Sequence, residues 1–310
     1  MGTQNPREVY GRTLVEIGRE NPNIVVLEAD LGQSTMSCYF EEAFPERFFE
    51  MGIAEANMTS FAAGLALTGK IPFTNSFAVF AAGRAFDQIR QGICIAGLNV
   101  RIIGSSCGLS DFGDGSTHQS VEDAAVMRAI PNMTVLVPAD GNETRTMTRA
   151  LASYAGPAYM RITRSQALDV MPAGEPFVAG KPHLIRPGDD AVVFANGQMI
   201  SQSLAAAAML AEEGISLRIV NVSSLKPADK TALAALADGM KGVVTAEEHS
   251  LIGGLAALIR EVFQGRRLPM ECVGIGDRFG QSAFSHEELL REYGLMPEDI
   301  AQAVRRIIGK

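Results

Sequence analysis

Tryptophan is absent from this 310-residue chain, and aromatic residues make up only 6% of it. The core must therefore be built from Ala, Val, Ile, Leu and Met. Hydrophobic residues reach 47% and charged ones 20%, the balance of a globular protein with a large interior. Cysteine is scarce. Cys38, Cys94, Cys107 and Cys272 are scattered, with no C-x-x-C pair. That excludes a zinc knuckle or a dense disulfide frame and points to reduced thiols in a cytoplasm. Excess positive charge is missing too, and a net charge of −8 argues against a nucleic-acid surface. No apolar run approaches the ~20 residues of a membrane span. The start, MGTQNPREVY, lacks the apolar stretch of a signal peptide, and Pro6 breaks the myristoylation pattern. A cytoplasmic location is expected. In that setting the sequons at Asn57, Asn132, Asn142 and Asn221 are chance matches. H-E-x-x-H and H-x-x-x-H are absent, so no zinc site is expected.

What is present is a regular alternation. Residues 6–20 read as an amphipathic helix with Pro6 in its first turn. Strands follow near 24–27, 71–74, 100–103, 133–137 and 158–162, separated by helices near 54–68, 78–95, 121–129 and 142–154. Residues 165–190 hold four prolines and little periodicity. The alternation then restarts from 191 and ends in helices near 286–293 and 298–308. The pattern predicts an α/β protein of two doubly wound domains with mostly parallel sheets. The domains are expected at 1–170 and 189–310, joined by a linker over 171–188.

The stretch from Phe49 to Leu65, FEMGIAEANMTSFAAGL, places one carboxylate, Glu55, in the first turn of an apolar helix. It either caps that helix or serves a cofactor. Residues 105–120 form a long Gly-, Ser- and Asp-rich loop, of the kind that is usually functional. The loop carries Asp114-Gly115-Ser116-Thr117-His118, and a histidine there moves protons, holds a hydroxyl or is simply solvated. Gly113-Asp114-Gly115 with Asn142 formally matches the GDG…N diphosphate and Mg²⁺ motif of thiamine enzymes. Its placement is wrong, because this GDG lies ten residues past its strand and Asn142 opens a helix. No metal ligands are assigned in this chain. Arg161 and Arg164 could grip an anion or form surface ion pairs. Phe77 and Phe80 fit either core or a flat wall for a ring.

Seven stretches taken in order resemble the C-terminal half of transketolase. They are ADLGQS (29–34), FEMGIAEANM (49–58), FAVFAAGRAFDQIR (77–90), FGDGSTHQSVED (112–123), VPADGNE (137–143), EEHSLIGGL (247–255) and DRFGQSAFS (277–285). The resemblance covers essentially the whole chain. It implies a thiamine-diphosphate pyrimidine-binding domain followed by the transketolase C-terminal domain. It makes Glu55 the carboxyl that hydrogen-bonds the aminopyrimidine, favouring the imino form that takes the thiazolium proton. Burial in an apolar setting favours a carboxyl able to share its proton. Phe77 and Phe80 become the aromatic wall, with Thr74 where a third aromatic is common, and Asp30 an acidic residue near the cofactor. Asp114 and His118 match the pair that holds substrate hydroxyls, His118 also being catalytic. Ser34 and Arg164 match residues that hold the sugar phosphate. Ser106 and Cys107 stand where transketolases usually have His-Asp, which puts the usual phosphate grip in doubt.

The resemblance further implies a split enzyme. A partner subunit of similar length would hold the diphosphate of thiamine diphosphate through Mg²⁺, in an α2β2 assembly. The reaction would be transfer of a two-carbon ketol unit from a ketose to an aldose. A specialised form acting on a sulfo-sugar or a branched pentulose phosphate is one alternative. Others are a 1-deoxyxylulose-5-phosphate synthase-like or 2-oxoacid dehydrogenase β-like subunit, and a non-catalytic structural subunit.

Overall fold

The computed structural model describes residues 2–309. Its larger sheet has seven strands in the order Ser224–Lys226, Thr134–Leu136, Ala158–Ile162, Arg101–Ser105, Ile71–Phe77, Ile24–Glu28 and Phe48–Glu50. All neighbours run parallel except Ser224–Lys226, which joins one edge antiparallel. Strands Ile24–Glu28, Arg101–Ser105 and Ala158–Ile162 are buried at every residue. Helices cover both faces, which is why such strands read as continuous apolar runs. Successive side chains point to opposite faces. Val25 and Leu27 accordingly pack with Met58 and Ala62 of the helix Glu55–Leu67. Ile24 and Val26 pack with Tyr10 and Leu14 of the helix Pro6–Glu20 and with Met147 of Gly141–Leu151.

The second sheet has five strands in the order Met270–Ile275, Val243–Ser250, Ala191–Ala195, Leu217–Asn221 and His183–Arg186. The last is antiparallel and the others parallel. The helices Met199–Glu212 and Pro297–Ile308 pack on it through Ala206, Leu210, Ile300 and Val304. A ribbon of Thr3–Gln4 with Ala167–Leu168 ties the N-terminus to the end of the first sheet.

The α/β architecture with mostly parallel sheets agrees with the sequence pattern. Three details depart from it. The helix expected over 78–95 is broken at Arg84-Ala85 into Ala78–Gly83 and Phe86–Gln88, then continues as a wider π-helix over Ile89–Cys94. The stretch expected to be a linker contributes the strand His183–Arg186. Ser224–Lys226 leaves its own half of the chain to pair with Thr134–Leu136. Among the described residues no helix is long and apolar enough to cross a membrane.

Candidate active site

Parallel strands bring their C-terminal ends to one edge, where ligands bind in open α/β sheets. Here Ile24–Glu28 delivers Asp30, Ile71–Phe77 delivers Phe77 and Phe80, and Arg101–Ser105 leads into the loop carrying His118. The turn after Phe48–Glu50 sets Glu55 at the first position of its helix. Asp30, Ile53, Glu55, Phe80, Arg84 and His118 line one cavity of about 220 Å³.

Glu55 is 2% exposed, and its surroundings are not purely apolar. Ser76 Oγ donates to Oε1 at 3.3 Å, and Arg84 Nη1 lies 3.3 Å from each carboxylate oxygen. The helix N-terminus adds a favourable dipole for an anion. The sequence reading of an isolated carboxyl is thus corrected by an arginine 29 residues away. Phe77 and Phe80 stack with ring centres 6.2 Å apart and planes 13° from parallel. His118 meets both rings edge-on, at 6.2 and 5.3 Å, and its Nδ1 lies 2.9 Å from Thr117 Oγ1. Thr74 is buried and donates to the Arg101 carbonyl.

Asp30 adopts a left-handed backbone (φ 62°), a conformation that Asp tolerates better than most residues. Its N–H donates to Glu50 Oε1 at 2.9 Å, and the Gly52 N–H donates to the same oxygen at 2.8 Å. Glu50, which the sequence reading missed, therefore joins the Asp30 loop to the turn before Glu55. A second cavity of about 200 Å³ shares Asp30 and Leu31 with the first and contains Ser34.

Arg7 was also missed. Its Nη1 donates to the Ser34 carbonyl at 2.6 Å, and its buried Nε has no partner. Burial, and then the nearby Arg164 charge, push the Arg7 guanidinium down to about 10. Two guanidinium groups that feel each other's charge, one of them bonded to the Ser34 carbonyl, form a setting for an anion. The available signal was a basic side chain in a helix's first turn, where the dipole disfavours it. Arg164 itself donates to Asp111 Oδ1 at 2.9 Å, while Asp111 Oδ2 is buried without a partner. Burial pushes the Asp111 carboxyl up, against the pull of Arg164.

The remaining sequence candidates lie outside the ring cavity. Asp114 is exposed at the start of the short turn Gly115–Thr117. Asn142 is bound to Gln4 Nε2 at 3.1 Å and to the Met171 carbonyl at 2.9 Å. Among the described residues no group of three or more His, Cys, Asp or Glu could hold a metal ion. Ser106 is fully buried in a left-handed conformation (φ 53°), and its hydroxyl has no partner. Cys107 is buried, which pushes its thiol up to about 12. Arg161 pairs with buried Asp123, at 2.9 Å from both Nε and Nη2, and its Nη1 donates to the Glu248 carbonyl. It is a structural cation and not a surface pair.

The second half of the chain clamps the His118 loop. Glu248 Oε1 accepts from the Leu109 N–H at 2.6 Å and contacts His286 Nε2 at 3.1 Å. Gly108, at φ 63°, lies so near Glu248 that a Cβ would stand 2.3 Å from Oε1. Gln119 Nε2 donates to the Gln281 carbonyl, and the Ala283 N–H donates to Phe112.

The cavity suits a flat nitrogen heterocycle. A planar N–H-bearing group, the Arg84 guanidinium, already lies 4.1 Å from the Phe80 ring centre while bonded to Glu55. An aminopyrimidine offers the same flat shape, with a ring nitrogen able to share a proton with the Glu55 carboxyl.

Residues 3–168 match the transketolase pyrimidine-binding domain, and residues 180–300 the transketolase C-terminal domain. A 6-deoxy-6-sulfo-D-fructose transketolase subunit of Clostridium sp. (strain MSTE9) is 37% identical over 97% of this chain and 94% of its own length. An apulose-4-phosphate transketolase subunit of Phocaeicola vulgatus is 33% identical over 98% of this chain and 97% of its own length. A solved split-gene transketolase, an inactive β4 tetramer, superposes with TM-score 0.90 and is 45% identical over 99% of both chains. With both domains matched and transketolase subunits aligned over more than nine-tenths of their length, this chain belongs to the transketolase family.

Proposed function

We propose that the chain supplies half of a thiamine-diphosphate-dependent transketolase site, with residues 1–170 and 189–310 as its two domains. The supporting observation is that the Glu55 carboxylate and the face of Phe80 line one cavity that His118 also lines. Thiamine diphosphate, when bound, supplies a carbon nucleophile and an electron sink for breaking and forming the carbon–carbon bond of ketol transfer. Glu55 holds the proton at the pyrimidine nitrogen, and Phe80, backed by Phe77, stacks against the ring. Asp30 borders the same cavity. His118 and Asp114 hold substrate hydroxyls, with His118 able to pass a proton. Arg7, Arg164 and Ser34 hold the terminal anion of the sugar. A partner subunit holds Mg²⁺ and the diphosphate, in an α2β2 assembly.

Loss of the family His-Asp pair does not remove the anion grip in this reading. Ser106 and Cys107 are buried, whereas Arg7 is bonded to the Ser34 carbonyl and feels the Arg164 charge. Two guanidinium groups can donate to the oxygens of phosphate or sulfonate alike, so the grip fits the specialised forms as well.

The deciding experiment assays the chain with and without the co-expressed N-terminal transketolase subunit, supplying thiamine diphosphate, Mg²⁺ and a ketose phosphate. Two-carbon transfer is expected only with both subunits. Robust turnover by the chain alone would refute the half-site, and turnover only with pyruvate as donor would favour a 1-deoxyxylulose-5-phosphate synthase-like subunit.

A further inference from the structure

Arg84 takes both of the contacts assigned above to the cofactor ring. Its helix ends at this residue, four positions after Phe80. Helical side chains lean toward the N-terminus, so the later member of an i, i+4 pair lies back over the earlier one. The guanidinium carbon thus lies 4.1 Å from the Phe80 ring centre. The same group reaches both oxygens of Glu55, at 3.3 Å each. The side chain is nonetheless 50% exposed and has open solvent into which to retreat.

We propose that Arg84 is a stand-in for the pyrimidine ring. It keeps Glu55 paired while no ring is bound and swings outward when one enters. This rests on the cofactor reading above. A carboxylate that is 2% exposed is costly to leave without a partner, and Arg84 provides one in the subunit alone. The ring can bind only the fraction of molecules in which Arg84 has left, so apparent affinity falls by that fraction. Arg84 is a positioning residue in this scheme. It protects the site and sets how tightly the ring is held, without touching the reacting atoms.

The test uses the full chain alone, titrated calorimetrically with 4-amino-5-hydroxymethyl-2-methylpyrimidine. Arg84→Ala and Arg84→Gln are expected to bind this fragment about three- to tenfold tighter than wild type, as removal of a competing closed state requires. Salt supplies a second readout that does not depend on any variant folding. Raising ionic strength screens the half-exposed ion pair, so wild-type affinity for the uncharged fragment should rise with salt. The variants' affinity should stay flat. Equal or weaker binding by both variants, or a wild-type affinity indifferent to salt, would overturn the stand-in. Failure of wild type and variants alike to bind the fragment, with Glu55→Ala no different, would sink the cofactor reading itself.

Discussion

Glu55 and Arg7 are buried charges with partners at the proposed site, so their removal should be felt in chemistry more than in folding. Glu55→Ala in the reconstituted enzyme is expected to lower kcat by about 10² to 10⁴, the range for loss of a positioned acid–base group. Its circular dichroism should be unchanged, because half-exposed Arg84 can turn to solvent. Unaltered turnover would make the chain structural. Arg7→Ala and Arg164→Ala act differently. Each removes a charged donor from a bound anion, a loss of about 10- to 100-fold. It should appear as a raised KM for the phosphorylated donor with kcat nearly kept. A non-phosphorylated ketose should show little change, and an equal loss for both donors would place these arginines elsewhere in the mechanism.

At the scale of elements, the helix Glu55–Leu67 is mostly apolar, and its outward side carries large apolar residues among the polar Asn57 and Ser60. Ile53, just before it, is 72% exposed, Phe61 42% and Leu67 74%. Large apolar side chains exposed together on one element mark an interface. Phe61→Glu and Leu67→Glu are therefore expected to shift the subunit toward monomer, and to weaken capture of the partner, in sedimentation measurements. Unchanged association would assign the interface to another face. This helix was legible in the sequence because a lone carboxylate opening a stretch of apolar and small residues is a strong local signal. Residues 78–95 were less so. Their apolar spacing gives a helix, but the break at Arg84-Ala85 and the π-turns after it change the hydrogen-bond pattern while barely altering hydropathy. Arg84, Arg7 and Glu50 stayed hidden for a related reason. Their partners lie 29, 27 and 20 residues away, and each pairing forms only when separate strand ends converge. Ser224–Lys226 is too short to signal a strand, let alone one belonging to the other sheet.

Across the whole molecule, the two halves meet through buried ionisable groups, and this makes stability depend on pH. Glu143, in the helix Gly141–Leu151, accepts from the Ala139 N–H at 2.7 Å and from Asn221 Nδ2 at 3.0 Å, the latter on the second sheet. Burial pushes its carboxyl up to about 7, against hydrogen bonds from Ser223, Ala139 and Asn221. Glu28 and Glu247 are pushed up to about 7 by the same cause. A folded value above the unfolded one means that the native state binds the proton more tightly. Such a group's contribution is complete below about 4.5 and is lost as pH rises through about 7. His249 has the opposite sign. Burial, and then Arg161, push it down to about 4, so its contribution is present above about 6.5 and lost as pH falls through 4. Glu143→Gln isolates one member of the first set. Its amide cannot ionise, and its N–H₂ can donate to Asn221 Oδ1, which is buried without a partner in the native chain. Relative to wild type the variant should gain on the order of 1–3 kcal/mol between pH 5 and pH 8. The comparison is read as the difference between two unfolding-midpoint curves across that range, so a constant offset from the lost acceptor does not matter. Parallel curves would show that Glu143 is already ionised in the folded protein, held by Asn221 and the Ala139 N–H strongly enough to outweigh burial at the junction of the two halves.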